Sequence, residues 1–131
     1  HVTTGNKNRK PWEDHLAYLE GLKEILHERR NRSLVLGDFN QRIPRKYSPE
    51  NVFLKLIDTF KPSFEIVTSG EITGLEKPVI DHLAVTKDLT VQSTKGIPSV
   101  ANEHQLSDHE GLHIQLEIND EASGEERPEC R

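Results

Sequence analysis

An α/β fold is what this 131-residue sequence predicts, and three observations carry the prediction. Residues 12–29 place apolar side chains at helical spacing and run almost directly into an aliphatic stretch, Ser33-Leu34-Val35-Leu36. A helix that delivers the chain to an apolar strand is the working unit of layered α/β architecture. A second helical pattern over 49–60 precedes the strand-like "FEIVTSG" at 64–70. The patterned part closes with "GLHIQLEI", where Leu112, Ile114, Leu116 and Ile118 alternate with polar residues in the two-residue period of a half-buried strand.

The elements follow in order. Residues 1–4, "HVTT", read as the end of a strand, and "GNKNRKP" as a loop by composition. In the first helix Leu16, Leu19, Ile25 and Leu26 fall near one face, with Trp12 and Leu22 beside it and Glu, Lys and Arg opposite. Asn31 and Arg32 turn the chain into the strand at 33–36, which Gly37 is expected to end. For the second helix Ser48 is the expected N-cap, with Pro49 in the first turn. Phe53, Leu56, Ile57 and Phe60 form its apolar side. "PVIDHLAVT" at 78–86 is a β-rich segment and "TVQSTKGIP" at 90–98 a weaker one. There is no internal repeat. Residues 119–131, "NDEASGEERPECR", are polar and without apolar period, the composition of a disordered acidic tail. The domain is therefore expected over 1–118.

Composition narrows the function. Lys plus Arg is 17 and Asp plus Glu 22, for a net charge of −5. That balance argues against non-specific nucleic-acid binding, which needs a basic face. It leaves open a metal enzyme acting on phosphates, because a bound cation inverts the local sign. The single cysteine, Cys130, excludes an intramolecular disulfide. No apolar run is long enough to cross a bilayer. The residues start at His1 rather than Met and show no signal-peptide pattern; a cytoplasmic location is the expectation, and secretion stays open.

Three acidic motifs interrupt the apolar pattern. "GDFN" ends the first aliphatic strand with Asp38 and Asn40. On an extended chain these two share a face and Phe39 points inward. "VIDHLAV" sets Asp81 and His82 within an apolar segment, and "LSDHEGL" sets Asp108 and His109 just before the last strand. Each has a plain structural explanation. An Asp after Gly at a strand end is commonly a turn or cap residue. A carboxylate in a buried strand requires a partner, since burying it alone costs several kcal/mol, but a structural hydrogen bond would supply one. Asp108 and His109 could be a loop with a surface His. His82 should face away from Asp81 on a regular strand and is read as structural, as His104 and His113 are read as surface or packing residues. The ordered set at strand ends weighs more than any member.

That ordered set resembles the endonuclease/exonuclease/phosphatase superfamily, the DNase I-like metal-dependent phosphohydrolases, over about residues 1–118. The resemblance implies a four-layer α/β/β/α sandwich of two sheets packed face to face between helices, with the site at one edge of the sheets. It implies that Asp38 orients or deprotonates the attacking water and that Asn40 hydrogen-bonds the phosphate or the nucleophile. It implies that Asp108 binds or supports a divalent metal, Mg²⁺ with Mn²⁺ as substitute. His109 would contact a phosphate oxygen, Asp81 would hold its imidazole, and His1 would also face the phosphate. The substrate is then a phosphate ester: nucleic acid, inositol phosphate or a phospholipid headgroup. Arg42, in the loop "QRIPRKYSP", is a candidate substrate contact. The family's principal metal-ligating Glu, and an Asn with it, would lie upstream of His1. The chain is thus expected to match the C-terminal half of such a domain, and these residues alone to bind metal weakly and to have poor or absent activity.

The chemistry suits these residue types. Phosphate esters hydrolyse very slowly without catalysis. Catalysis needs charge neutralisation, an aligned water and a stabilised leaving oxygen. Mg²⁺ takes carboxylate and phosphate oxygens, and an Asp beside it can direct or accept a water proton. Ser107-Asp108-His109 does not make a hydrolase triad, since adjacent residues are poorly placed for one and no G-x-S-x-G elbow is present. Neither an H-E-x-x-H motif nor paired cysteines suggest zinc. The competing expectation is a non-catalytic remnant of this fold used for binding or assembly. The oligomeric state stays open.

Overall fold

The computed structural model describes residues 10–118. His1, the strand expected at 1–4 and the tail expected at 119–131 lie outside them. The described chain runs α1 (Glu13–His27), β1 (Leu34–Asp38), α2 (Glu50–Phe60), β2 (Phe64–Ile66), β3 (Asp81–Thr86), β4 (Leu89–Ile97), β5 (Val100–Ala101), β6 (His104–Gln105) and β7 (Gly111–Ile118). The fold is mixed α/β, as the pattern predicts. No helix among the described residues is long and apolar enough to cross a membrane.

Three strands form one sheet in the order β1-β3-β2, β4 pairs with β7, and the two-residue β5 pairs with β6. Every ladder is antiparallel. Both helices lie on one face of the three-stranded sheet. Leu19 and Leu26 of α1 and Leu56 and Phe60 of α2 close over Phe64 and Ala84, with Val35 and Ile66 packed at the margin. The register explains the choice of face. Val35 is opposite Ala84, and Ile66 pairs with Ala84 from the other side, so these side chains stand together under the helices. Leu34, Leu36, Leu83 and Val85 take the other face. There Leu34, Leu36 and Leu83 share a cleft of about 400 Å³ with Leu112, Ile114 and Leu116 of β7. The layers are two helices, the three-stranded sheet and the β4–β7 ribbon; among the described residues no second helical layer covers the ribbon.

Several local expectations change. β1 continues through Gly37 to Asp38, because Gly37 accepts a φ of 153° and stays in register with His82. The α2 N-cap is Pro49, with extended backbone and no side-chain cap bond. Ser48 is instead buried, its hydroxyl without a partner among the described residues. Ile25 is exposed, because the buried stripe of α1 runs through His15, Leu19 and Leu26, four and seven residues apart on one face. The short β5–β6 pair has no sequence pattern, and each strand is too brief to show one.

Candidate active site

Asp38 is the last residue of β1 and Asp81 the first of β3, and the ladder sets them directly opposite each other. Opposed residues of an antiparallel pair present their side chains to one face, and like charges there destabilise the sheet. The pair therefore needs positive charge nearby. His109, from the loop before β7, supplies it: Nε2 lies 3.1 and 3.0 Å from the two carboxylate oxygens of Asp81. Its Nδ1 lies 2.8 Å from Asp108 Oδ1. A neutral imidazole has one N–H and can donate to one of these carboxylates; the imidazolium donates to both. Partial burial opposes the charge, but the Asp81 hydrogen bond and the charges of Asp81, Asp108 and Asp38 outweigh it and hold the His109 pKa above its ordinary value. One ligand-capable atom each from Asp38, Asp81 and His109 lies within 4.8 Å of the others.

The turn after Asp38 differs from the extended geometry expected of "GDFN". Asn40 is left-handed, with φ 58°, and its backbone N–H donates to Asp38 Oδ1 at 2.8 Å. This is an Asx-type turn, in which a short acid side chain stands in for a backbone acceptor. Phe39 does turn inward: its ring stacks on Phe60 at 5.2 Å between centroids, and its N–H donates to the carbonyl of Ile80 at 2.9 Å. One core contact and one ladder bond thus fix the residue between Asp38 and Asn40.

The remaining candidates fall as follows. Asp108 is 90% exposed and meets the cluster through His109 Nδ1, outside the group of three found among the described residues. Arg42 is half-buried. Its guanidinium donates to the carbonyl of Pro78 and lies 6.0 Å from the Tyr47 ring centroid, so it ties its loop to the segment before β3. Asn40 lines a groove of about 460 Å³ with Asp38, Tyr18 and Leu36 between α1 and β1. Asp38 lines that groove and Asp81 the cleft between the sheets, and Leu36 and Gly37 line both. His1 lies outside the described residues. His104 and His113 are exposed.

Two residues that the motifs did not single out sit beneath the site. His15 and Gln41 are buried, 3.0 Å apart between Gln41 Nε2 and His15 Nε2. His15 had a readable signal, since 15, 19, 22 and 26 make a heptad stripe; its polarity hid it. Nothing local marks Gln41.

Burial lowers the pKa values of both His15 and His82 from the ordinary 6.5. These imidazoles fold neutral, so the unfolded chain binds more protons just below pH 6.5 and stability falls there as pH falls. His109 has the opposite sign: its contribution is complete below 6.5 and is lost as pH rises through its raised folded value. The urea midpoint should therefore decline on both sides of near-neutral pH. A midpoint that rises steadily from pH 6.5 to 5 would contradict the assignment of neutral, buried imidazoles.

The chain matches no family model, no curated protein and no solved structure.

Proposed function

We propose that this protein is a divalent-metal-dependent phosphoric ester hydrolase of the endonuclease/exonuclease/phosphatase type, with water as the nucleophile. One observation carries the reading: two carboxylates held opposite each other at a strand end, with an imidazole of raised pKa against them. A scaffold gains nothing from that repulsion, whereas a cation and a phosphate site require it. The reading brings with it the four-layer sandwich, supported here by two sheets lining a common apolar cleft.

The donor set fits a hard cation through Asp38 and Asp81, whose oxygens suit Mg²⁺ or Mn²⁺. His109 nitrogen is tolerated better by Mn²⁺, but Nε2 is already engaged by Asp81. The bound cation would supply charge neutralisation at the phosphate. The protein's own groups do the rest. Asp38 has one oxygen bonded to the Asn40 N–H and keeps acceptor capacity for a water proton. Asp81 holds the His109 ring by Nε2. At Nδ1 the present acceptor, Asp108, is solvent-exposed, so a phosphate oxygen can take its place there at small desolvation cost. Asn40 lines the groove beside Asp38, and its amide would be the donor to phosphate. Nucleic acid, inositol phosphate and phospholipid headgroup remain alternative sources of that phosphate.

The direct test is Mn²⁺ binding followed by electron paramagnetic resonance, with hydrolysis of bis(4-nitrophenyl) phosphate and 4-nitrophenyl phosphate in Mg²⁺ or Mn²⁺. Binding is expected in the wild type and lost in an Asp38→Ala/Asp81→Ala double variant, and hydrolysis should stop when the metal is chelated. A wild-type protein that binds no Mn²⁺ at millimolar concentration ends this reading. It would favour the second one, a non-catalytic assembly module, which one feature supports: Leu36, on β1, which is an edge strand among the described residues, is 70% exposed.

A further inference from the structure

The acidic pair must be held against its own repulsion, and the means lie on the other side of the sheet. His82 is opposite Gly37 in the ladder and 2% exposed, on the helix-facing side of β3. Its Nε2 lies 2.8 Å from the backbone carbonyl of Gln41. A carbonyl only accepts, so Nε2 carries the proton. In the neutral ring Nδ1 is then an acceptor, and it lies 2.8 Å from Thr68 Oγ1, which donates its hydroxyl proton. The Thr68 oxygen in turn accepts the N–H of Leu83 at 3.2 Å. Every polar atom of the ring is satisfied in one tautomer only.

The carbonyl that His82 grips belongs to the turn carrying Asp38. The Gln41 side chain extends the attachment, donating from Nε2 to His15 and lying 3.4 Å from the carbonyl of Val52. The His82 ring also packs at 5.3 Å from that of Phe39.

We propose that His82 is a positioning residue: by donating to the Gln41 carbonyl from behind β3 it fixes the turn that sets Asp38 against Asp81 and His109. The inference rests on the reading of that cluster as a cation and phosphate site, but its geometry can be tested separately. Asn40 N–H is bonded to Asp38 Oδ1, so its hydrogen exchange reports the turn directly.

The experiment compares the full chain with His82→Phe, which keeps the ring packing and removes both nitrogens, and with His82→Gln, whose amide can still donate to the Gln41 carbonyl. Mn²⁺ affinity should weaken about 10–100-fold in the Phe variant, the usual loss when a supporting partner is removed. It should recover at least in part in the Gln variant, and Asn40 exchange should accelerate in the Phe variant alone. A folded His82→Phe protein with wild-type Mn²⁺ affinity and wild-type Asn40 exchange overturns the proposal. If the Phe variant does not fold, the same comparison is made between His82→Gln and His82→Asn, whose shorter amide cannot reach; equal values in both overturn it. Nitrogen-15 spectra of the wild type test the tautomer independently: an Nε2–H ring at His82 is expected, and an Nδ1–H ring is incompatible with the proposal. Should the wild type bind no Mn²⁺, the hydrolase reading falls, and the Asn40 exchange rates alone decide on His82.

Discussion

Alanine in place of Asp38 is expected to lower kcat for metal-dependent hydrolysis of a phosphate ester by about 10²–10⁴-fold, the usual contribution of a positioned proton acceptor. Asp38 stands opposite Asp81 across the ladder, and its carboxylate is one of the three ligand-capable groups that meet there. Its loss leaves the Asn40 N–H without its acceptor but also relieves the repulsion between the two acids. Folding stability should therefore change little, which separates chemistry from structure. Asp38→Asn is the sharper control, because it keeps the shape and an acceptor oxygen for Asn40 while removing the charge. On the proposed reading both variants lose kcat with melts close to wild type. Wild-type turnover in Asp38→Asn would remove this residue from the proton-handling role, and wild-type turnover in both variants would remove it from the site. His109→Ala tests the partner group. It strips Asp81 and Asp108 of their shared cation, and should lower kcat by orders of magnitude as well.

Phe60→Ala is expected to cost about 3–5 kcal/mol of stability, the range for deleting a buried aromatic side chain. Phe60 is among the largest fully buried side chains. It stacks on Phe39 and meets Phe64 edge-on at 6.2 Å, contacts worth about 0.5–1.5 kcal/mol each beyond simple burial. Small domains hold only about 5–15 kcal/mol in total, so the urea midpoint should fall steeply, with m unchanged if the transition stays two-state. The loss also reaches the site: Phe39 lies between Asp38 and Asn40, and without Phe60 beneath it the turn loses its apolar anchor. A drop below 1 kcal/mol would mean that the helices do not bury Phe60 against β2 and the turn. Ile25→Ala, on the exposed side of α1, should by contrast change little.

The two helices and the last strand were legible because each repeats its own period; the strand at 33–36 and the segments at 78–86 and 90–98 were legible as apolar or β-rich stretches, but not their ends, since β1 runs on to Asp38. The acidic motifs stood out for the complementary reason, as charged residues where the period calls for apolar ones. Legibility failed where the deciding contact is remote. His15 and Gln41 are 26 residues apart, and nothing in the sequence links them; the contact of Asp81 with His109, 28 residues away, is the one the resemblance implies, and the structure has it. At Asn40 the sequence shows two polar residues either side of Phe39 but not the Asx bond that turns the second into the left-handed region. The resemblance makes Asp108 the metal residue and His109 the phosphate contact. In the fold His109 stands with Asp38 and Asp81, and Asp108 sits outside on the far nitrogen of the ring.

By itself the sequence determined the two helices and the centres of the longer strands, and that acids and histidines gather near strand ends. Both follow from local spacing, because neighbours along the chain fix which side chains share a face. Only the tertiary structure decided that Asp38 opposes Asp81, that Asp108 takes the far nitrogen of the His109 ring, and that His82 grips the turn from the buried side. Those contacts depend on ladder register and on loop closure, and a shift of one residue in register would turn every side chain of the strand to its other face.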